Sequence, residues 1–130
     1  MIVLSFLIIQ NTKAQNLYDQ NANNNIFGFK VFQYVGNETT SDILVSPYSI
    51  SYLFAQLYNG AEGPTKQEIS EYLHFPKEAS YLNDWYKFAG SRIQSKSGPL
   101  RFLSDNYLVL DDEYGFKKRF IEIVTTNYNA

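Results

Sequence analysis

At 130 residues, with 45% hydrophobic and 17% aromatic side chains, the chain is apolar enough to fold, and its length suggests one ordinary domain. A formal net charge of -2 gives no electrostatic reason to expect nucleic acid or an anionic membrane as a partner. With no cysteine, disulfides, thiol catalysis and cysteine-based zinc sites are excluded.

Ile2 to Ile9 is an apolar run broken only by Ser5, too short to span a bilayer as a helix. Polar Gln10 to Lys13 follow, then Ala14. Thr12 and Ala14 are small residues at the positions a signal peptidase prefers. Residues 1–14 are therefore read as a secretory signal peptide leading to the extracellular space, although no Lys or Arg precedes the apolar run. The competing reading is a buried strand or helix start. No other segment reads as a membrane span.

Residues 15–25, rich in asparagine, are expected to form an extended or fraying polar lead-in. From Ile26 to Val35 the chain is almost uniformly apolar, and Phe27, Val31, Tyr34 and Val35 keep helical spacing despite Gly28. Gly36 is expected to end this helix. Asn37-Glu38-Thr39 is an N-x-T sequon in the polar loop 36–42, which makes Asn37 a glycan acceptor if the chain is secreted.

The stretch from Asp42 to Phe75 organises the rest. Ile43, Leu44 and Val45 read as a short strand running into a helix through Ser46-Pro47, with Ser46 as N-cap and Pro47 at the first helical position. Ile50, Leu53, Phe54, Leu57 and Tyr58 form one apolar stripe, and Gly60 is expected to stop the helix in the left-handed region. Thr65 to Glu68 has the form of a capping box. It predicts a second, shorter helix with Ile69, Tyr72 and Leu73 inward, ended by Pro76.

A further helix is expected over Ser80–Ser95, with Tyr81, Leu82, Trp85, Phe88, Ala89 and Ile93 on its inner stripe. After the turn Ser97-Gly98-Pro99, Leu100 to Leu110 reads as a long strand with apolar residues on both sides, so both faces of its sheet are covered. Asp111, Asp112 and Glu113 could be metal ligands, but consecutive carboxylates rarely converge on one ion, and a solvated turn is the better reading. Phe116 to Ala130 closes the chain as a helix with Phe116, Phe120, Ile123 and Val124 inward. Lys117, Lys118 and Arg119 stand at its N-terminus, where the dipole disfavours cations.

Catalytic chemistry finds no foothold. No nucleophile elbow, P-loop, dinucleotide fingerprint or zinc helix occurs. The lone histidine, His74, sits at a helix end and reads as a dipole partner or a partly buried residue. Ser46 and Ser49 have no His or acid nearby in sequence to activate them. Neither an enzyme nor a cofactor is implied.

A strand, then Ser46-Pro47-x-Ser49-Ile50, an apolar helix, Leu57-x-x-Gly60-Ala61-x-Gly63-x-Thr65, and a short helix ending Leu73-x-Phe75 together resemble the opening of the serpin fold. Ser104-Asp105-Asn106-Tyr107-Leu108 is similar to strand 2 of the family's large central sheet, and Phe116-Lys-Lys-Arg-Phe120 to the helix after it. The resemblance runs from Ile26 to Ala130. It implies an α+β fold in which these residues supply the N-terminal helices and first strands of an incomplete serpin domain.

Serpins offer an exposed reactive-centre loop to a serine or cysteine endopeptidase and, once cleaved, insert it into the central sheet. By this resemblance Ser46, Pro47 and Ser49 lie in the shutter beneath the opening sheet, with Ser46 and Ser49 expected to be buried. Asp42 departs from the Asn usual four residues before the Ser-Pro serine. The reactive-centre loop lies near the C-terminus of the family's domain and has no counterpart here. The chain is thus expected to be a fragment or truncated product, inactive and poorly soluble alone. Some serpins bind sulfated polysaccharides at the helix that stands where Ser80–Ser95 does, but Lys87, Arg92 and Lys96 are a thin basis for a polyanion partner. Two other readings stand beside the inhibitor: a non-inhibitory serpin-like protein of storage, transport or chaperoning, and a helical binding module.

Overall fold

The computed structural model describes residues 2–93, 107, 109 and 115–130, with side chains from residue 19 onward. Five helices occupy them: α1 (Ile2–Glu38), α2 (Pro47–Gly60), α3 (Gly63–Leu73), α4 (Ala79–Ile93) and α5 (Lys118–Tyr128). The helix opened by Ser46-Pro47 is the hub, since α2 packs on each of the other four.

Three boundaries differ from expectation. α1 runs unbroken through residues 15–25 and past Gly36 to Glu38. Its asparagine-rich stretch is a poor helix former by propensity alone, but tertiary contacts override that preference. Gln20 is buried, Asn23 Nδ2 donates to the His74 carbonyl at 2.9 Å, and Asn24 Oδ1 accepts from the Tyr86 hydroxyl. Gly60 remains helical, and α2 stops because Ala61 turns extended while its N–H still bonds the Leu57 carbonyl at 2.8 Å. α3 begins at Gly63, two residues before the expected cap at Thr65. Pro64 is pre-set for the first turn, so the helix starts there, with Glu62 at the cap position and no side-chain cap bond. α3 ends at Leu73, where His74 turns left-handed (φ 54°) and Phe75 N–H reaches back to the Ser70 carbonyl at 2.9 Å.

No strand occurs among the described residues. Ile43–Val45 carries no ladder pairing and Leu44 is fully exposed, so the strand expected there is not formed; a strand needs a partner to bond. The strand expected over Leu100–Leu110 lies outside the described residues except for Tyr107 and Val109, and Lys96 and Asp111–Glu113 lie outside them altogether. The described part is therefore the helical half of the expected α+β architecture.

The core is unusually rich in tyrosine. Tyr52, Tyr58, Phe75, Trp85, Tyr86 and Tyr128 are buried together with Ala55, Leu73 and Leu82. Edge-on pairs dominate: Trp85–Tyr86 at 4.7 Å, Tyr52–Tyr86 at 5.2 Å and Tyr52–Tyr128 at 5.2 Å between ring centroids. Such pairs contribute about 0.5–1.5 kcal/mol each beyond the area they bury.

The expected apolar stripes are rotated. α2 buries Ser51, Tyr52, Ala55, Gln56 and Tyr58, while Leu53 and Leu57 stay about half exposed. On α4, Leu82 and Trp85 face inward as expected, but Phe88 is 56% exposed and Asn83 and Tyr86 take inner positions. On α5, Val124 and Tyr128 are buried, with Phe120 and Ile123 partly so, while Phe116 precedes the helix and stays exposed.

Candidate functional site

The start of α2 is built by local rules. Ser46 holds extended φ/ψ (-112°, 90°) and its hydroxyl accepts from the Ser49 N–H at 3.3 Å. The Ser46 carbonyl accepts from Ile50 N–H at 3.2 Å, which begins the helical ladder. Ser49 Oγ lies 2.8 Å from Ser46 Oγ, an ordinary hydrogen bond across one turn in which either hydroxyl can donate. Pro47 occupies the first turn, where its missing N–H costs nothing. The predicted residues Ser46, Pro47 and Ser49 thus form one cluster, with Ser46 as the cap.

Their setting differs from expectation, because Ser46 and Ser49 are exposed rather than buried. The pyrrolidine of Pro47 instead makes the close contact, against α1. A Cβ placed on Gly28 would sit 3.1 Å from Pro47 Cβ, so only glycine lets the two elements approach this closely. That explains the glycine inside the apolar stretch Ile26–Val35 of α1.

Between Pro47 and Ser49, the Tyr48 side chain turns into the aromatic core. Tyr48 meets Tyr52, Trp85 and Tyr86 at 5.6, 6.4 and 6.0 Å between centroids. Burial pushes the Tyr48 and Tyr52 phenols up to about 12, with the neighbouring Tyr48 adding to the effect at Tyr52. Tyr86 and Tyr128 are raised further for the same first reason, loss of solvent around the phenolate. These hydroxyls are neutral donors at any physiological pH.

The hydroxyls of Tyr52, Tyr86 and Tyr128 are spent on tying helices together. Tyr52 OH donates to the Tyr128 carbonyl at the end of α5. Tyr128 OH donates to Asn83 Oδ1 at 2.6 Å, and the same oxygen accepts from Asn59 Nδ2 at 2.8 Å. Asn83 Nδ2 returns a bond to Asn59 Oδ1 at 3.1 Å. So α2, α4 and α5 are locked by a closed polar network at the end of α2 opposite the serine cluster. Sequence reasoning missed Asn59, Asn83, Tyr52 and Tyr86. The one available signal was the recurrence of Tyr48, Tyr52 and Asn59 along one side of the helix.

Chemically, the cluster can hold a helix start and exchange hydrogen bonds with a neighbouring backbone; no acid or imidazole is bonded to either serine hydroxyl among the described residues. Asn37 lies apart, exposed in the last turn of α1 rather than in a loop, and Thr39 Oγ1 of the same sequon accepts from Ser41 N–H at 3.1 Å. Lys117 pairs with Glu62 at 3.4 Å, both side chains largely in solvent, an interaction of small weight. His74 is exposed at its helix end.

A family model described as Serpin (serine protease inhibitor) matches residues 22–130. The chain is similar to an uncharacterized serpin-like protein of Methanosarcina mazei, 34% identical over 116 residues, which cover 87% of this chain and 27% of that protein. It is similar also to Iripin-1 of Ixodes ricinus, 25% identical over 134 residues covering all of this chain and 34% of that protein. Alpha-1-antitrypsin of Sus scrofa is 27% identical over 108 residues, covering 80% of this chain and 26% of that protein. The chain therefore spans between a quarter and about a third of the length of these curated relatives. No solved structure matches.

Proposed function

The chain belongs to the serpin family, and from that premise we propose that it forms part of a serpin-type inhibitor of serine or cysteine endopeptidases. Inhibition would proceed by bait-loop cleavage and strand insertion, with Ser46, Pro47 and Ser49 as the shutter element that insertion must pass. The observation that carries this reading is the serine cluster itself. Within a chain matched by the family from residue 22 to 130, two exposed hydroxyls 2.8 Å apart, that of Ser46 being the cap, stand at the start of the helix that every other described helix packs against. Exposed hydroxyls at a helix start are free to bond the backbone of a strand laid over them.

The test uses the complete serpin domain, mixed with trypsin-, chymotrypsin- and elastase-like serine peptidases and a papain-like cysteine peptidase. A one-to-one complex that survives boiling in detergent supports inhibition. Cleavage of the domain without any such complex would move the non-inhibitory reading to first place. Asp42, exposed where the family usually has Asn, favours that second reading, since a carboxylate cannot donate where an amide would.

Secretion after cleavage at Ala14 and a glycan on Asn37 belong to the same proposal. N-terminal sequencing of exported protein, and its mass before and after enzymatic deglycosylation, test the two separately.

A further inference from the structure

Asn59-Gly60, the last pair of residues in α2, is the only place in the chain where glycine follows asparagine. An asparagine side-chain amide is open to attack by the backbone nitrogen of the next residue, and only glycine leaves that nitrogen unshielded by a Cβ. Every other asparagine of the chain is followed by a residue with a side chain. Asn59 is half-buried and Gly60 exposed, so water reaches the pair.

The fold holds both residues away from that attack. Asn59 Nδ2 donates at 2.8 Å to the Ala55 carbonyl and at 2.8 Å to Asn83 Oδ1, with the Tyr128 hydroxyl 3.3 Å away. Asn59 Oδ1 accepts from Asn83 Nδ2 at 3.1 Å. For the ring to close, this side chain must swing back over its own peptide, which breaks these bonds together. Gly60 keeps helical torsions, and a Cβ there would lie 3.0 Å from Phe120 Cε2, so the Phe120 ring lies close against it. Phe120 and Tyr128 both belong to α5, so docking of that one helix clamps both members of the pair.

We propose that Asn59-Gly60 is a site of spontaneous deamidation guarded by α5, which turns undocking of that helix into a one-way change. Once α5 leaves, the Gly60 nitrogen gives its proton to water and bonds to Asn59 Cγ. The Cγ–Nδ2 bond breaks, and Nδ2 takes up a proton and departs as ammonia. Water then opens the cyclic imide at either carbonyl, leaving aspartate or isoaspartate. Neither product rebuilds the lost bonds, because a carboxylate has no hydrogen for the Ala55 carbonyl or Asn83 Oδ1. Its charge also opposes the dipole at that end of α2. The site is independent of peptidase inhibition and stands or falls without it.

The test incubates the full chain at neutral pH in native buffer and in denaturant, and follows each asparagine peptide by mass and by enzymatic methylation of isoaspartate. In denaturant Asn59 should convert ahead of every other asparagine, and Gly60→Ala should slow it there, where no fold is at stake. In native buffer only the opened fraction reacts, so conversion of Asn59 should be slower by about tenfold or more. Tyr128→Phe, checked for folding by helical circular dichroism, should speed conversion in native buffer and leave the denatured rate unchanged. Asn59→Asp, which makes one product directly, should melt below the parent chain. Equal rates at Asn59 with and without denaturant would overturn the proposal, whether or not Tyr128→Phe folds. So would a folded Tyr128→Phe that reacts no faster than the parent, or an Asn59→Asp chain as stable as the parent.

Discussion

The hydroxyl of Tyr52 donates to the backbone carbonyl of Tyr128, joining the middle of α2 to the last residue of α5 across 76 positions of sequence. Both residues are at least nine-tenths buried, so the carbonyl has no water to fall back on. Tyr52→Phe keeps the ring and its edge-on contacts and removes only the donor. Leaving a buried acceptor unmet costs about 1–3 kcal/mol, and denaturant unfolding should show a loss in that range. Tyr48→Phe is the control: its hydroxyl has no hydrogen-bond partner among the described residues, so the same chemical change should be neutral or slightly stabilising. Equal losses in the two variants would refute the assignment of the bond.

Alkaline pH should loosen the same core. The phenols of Tyr48 and Tyr52 are raised from 10.0 to about 12 by burial, and those of Tyr86 and Tyr128 lie higher still. A group whose folded-state pKa is raised contributes stability that is whole below its unfolded value and lost as pH climbs through the folded one. Stability should therefore hold up to about pH 10 and fall between 10 and 12, with phenolate absorbance and helix loss appearing together. Ionisation of all tyrosines near pH 10 with the helices intact would contradict this.

Two helical glycines should respond to alanine with opposite signs. A Cβ on Gly90 meets nothing within 4 Å, so Gly90→Ala should add about 0.5–1 kcal/mol through helix propensity alone. A Cβ on Gly28 would press to 3.1 Å on the rigid ring of Pro47. Overpacking of that kind costs about 1–3 kcal/mol and outweighs the propensity gain, so Gly28→Ala should be less stable by thermal unfolding.

His74 sits in the left-handed region at φ 54° with an exposed side chain. A residue with a Cβ is disfavoured there by about 1–2 kcal/mol, and glycine escapes that while losing about 0.4–1 kcal/mol through its freer unfolded chain. His74→Gly should thus stabilise by up to about 1 kcal/mol, and the bond from Asn23 to its carbonyl survives. A clear loss of stability would give the imidazole a structural role that its exposure does not suggest.

Sequence reasoning found what is local and missed what is relational. The Ser46 cap and Pro47 start were legible because they depend on neighbours within one turn. The hub role of α2 was legible from its apolar density. Which of its faces meets which helix was not, since α2 is apolar on both sides and periodicity cannot rank Leu53 and Leu57 against Tyr52 and Ala55. Buried Asn83 was unreadable because a polar residue enters a core when partners from distant segments, here Asn59 and Tyr128, meet it. The burial expected for Ser46 and Ser49 came from the family resemblance, and the described residues leave both exposed.

The direct test of the shutter assignment is a pair of variants, Ser46→Ala and Ser49→Ala, in the complete serpin domain, each measured for stability and for rate of peptidase trapping. Ser46→Ala removes the cap and should cost about 1 kcal/mol, whereas Ser49→Ala keeps the cap and should cost less. A loss of 1 kcal/mol accounts for about a fivefold change in any equilibrium it governs. The account predicts that trapping changes by more than this in Ser46→Ala, and changes in Ser49→Ala even though stability hardly moves. Trapping that stays constant in both, or that simply follows stability, would contradict it.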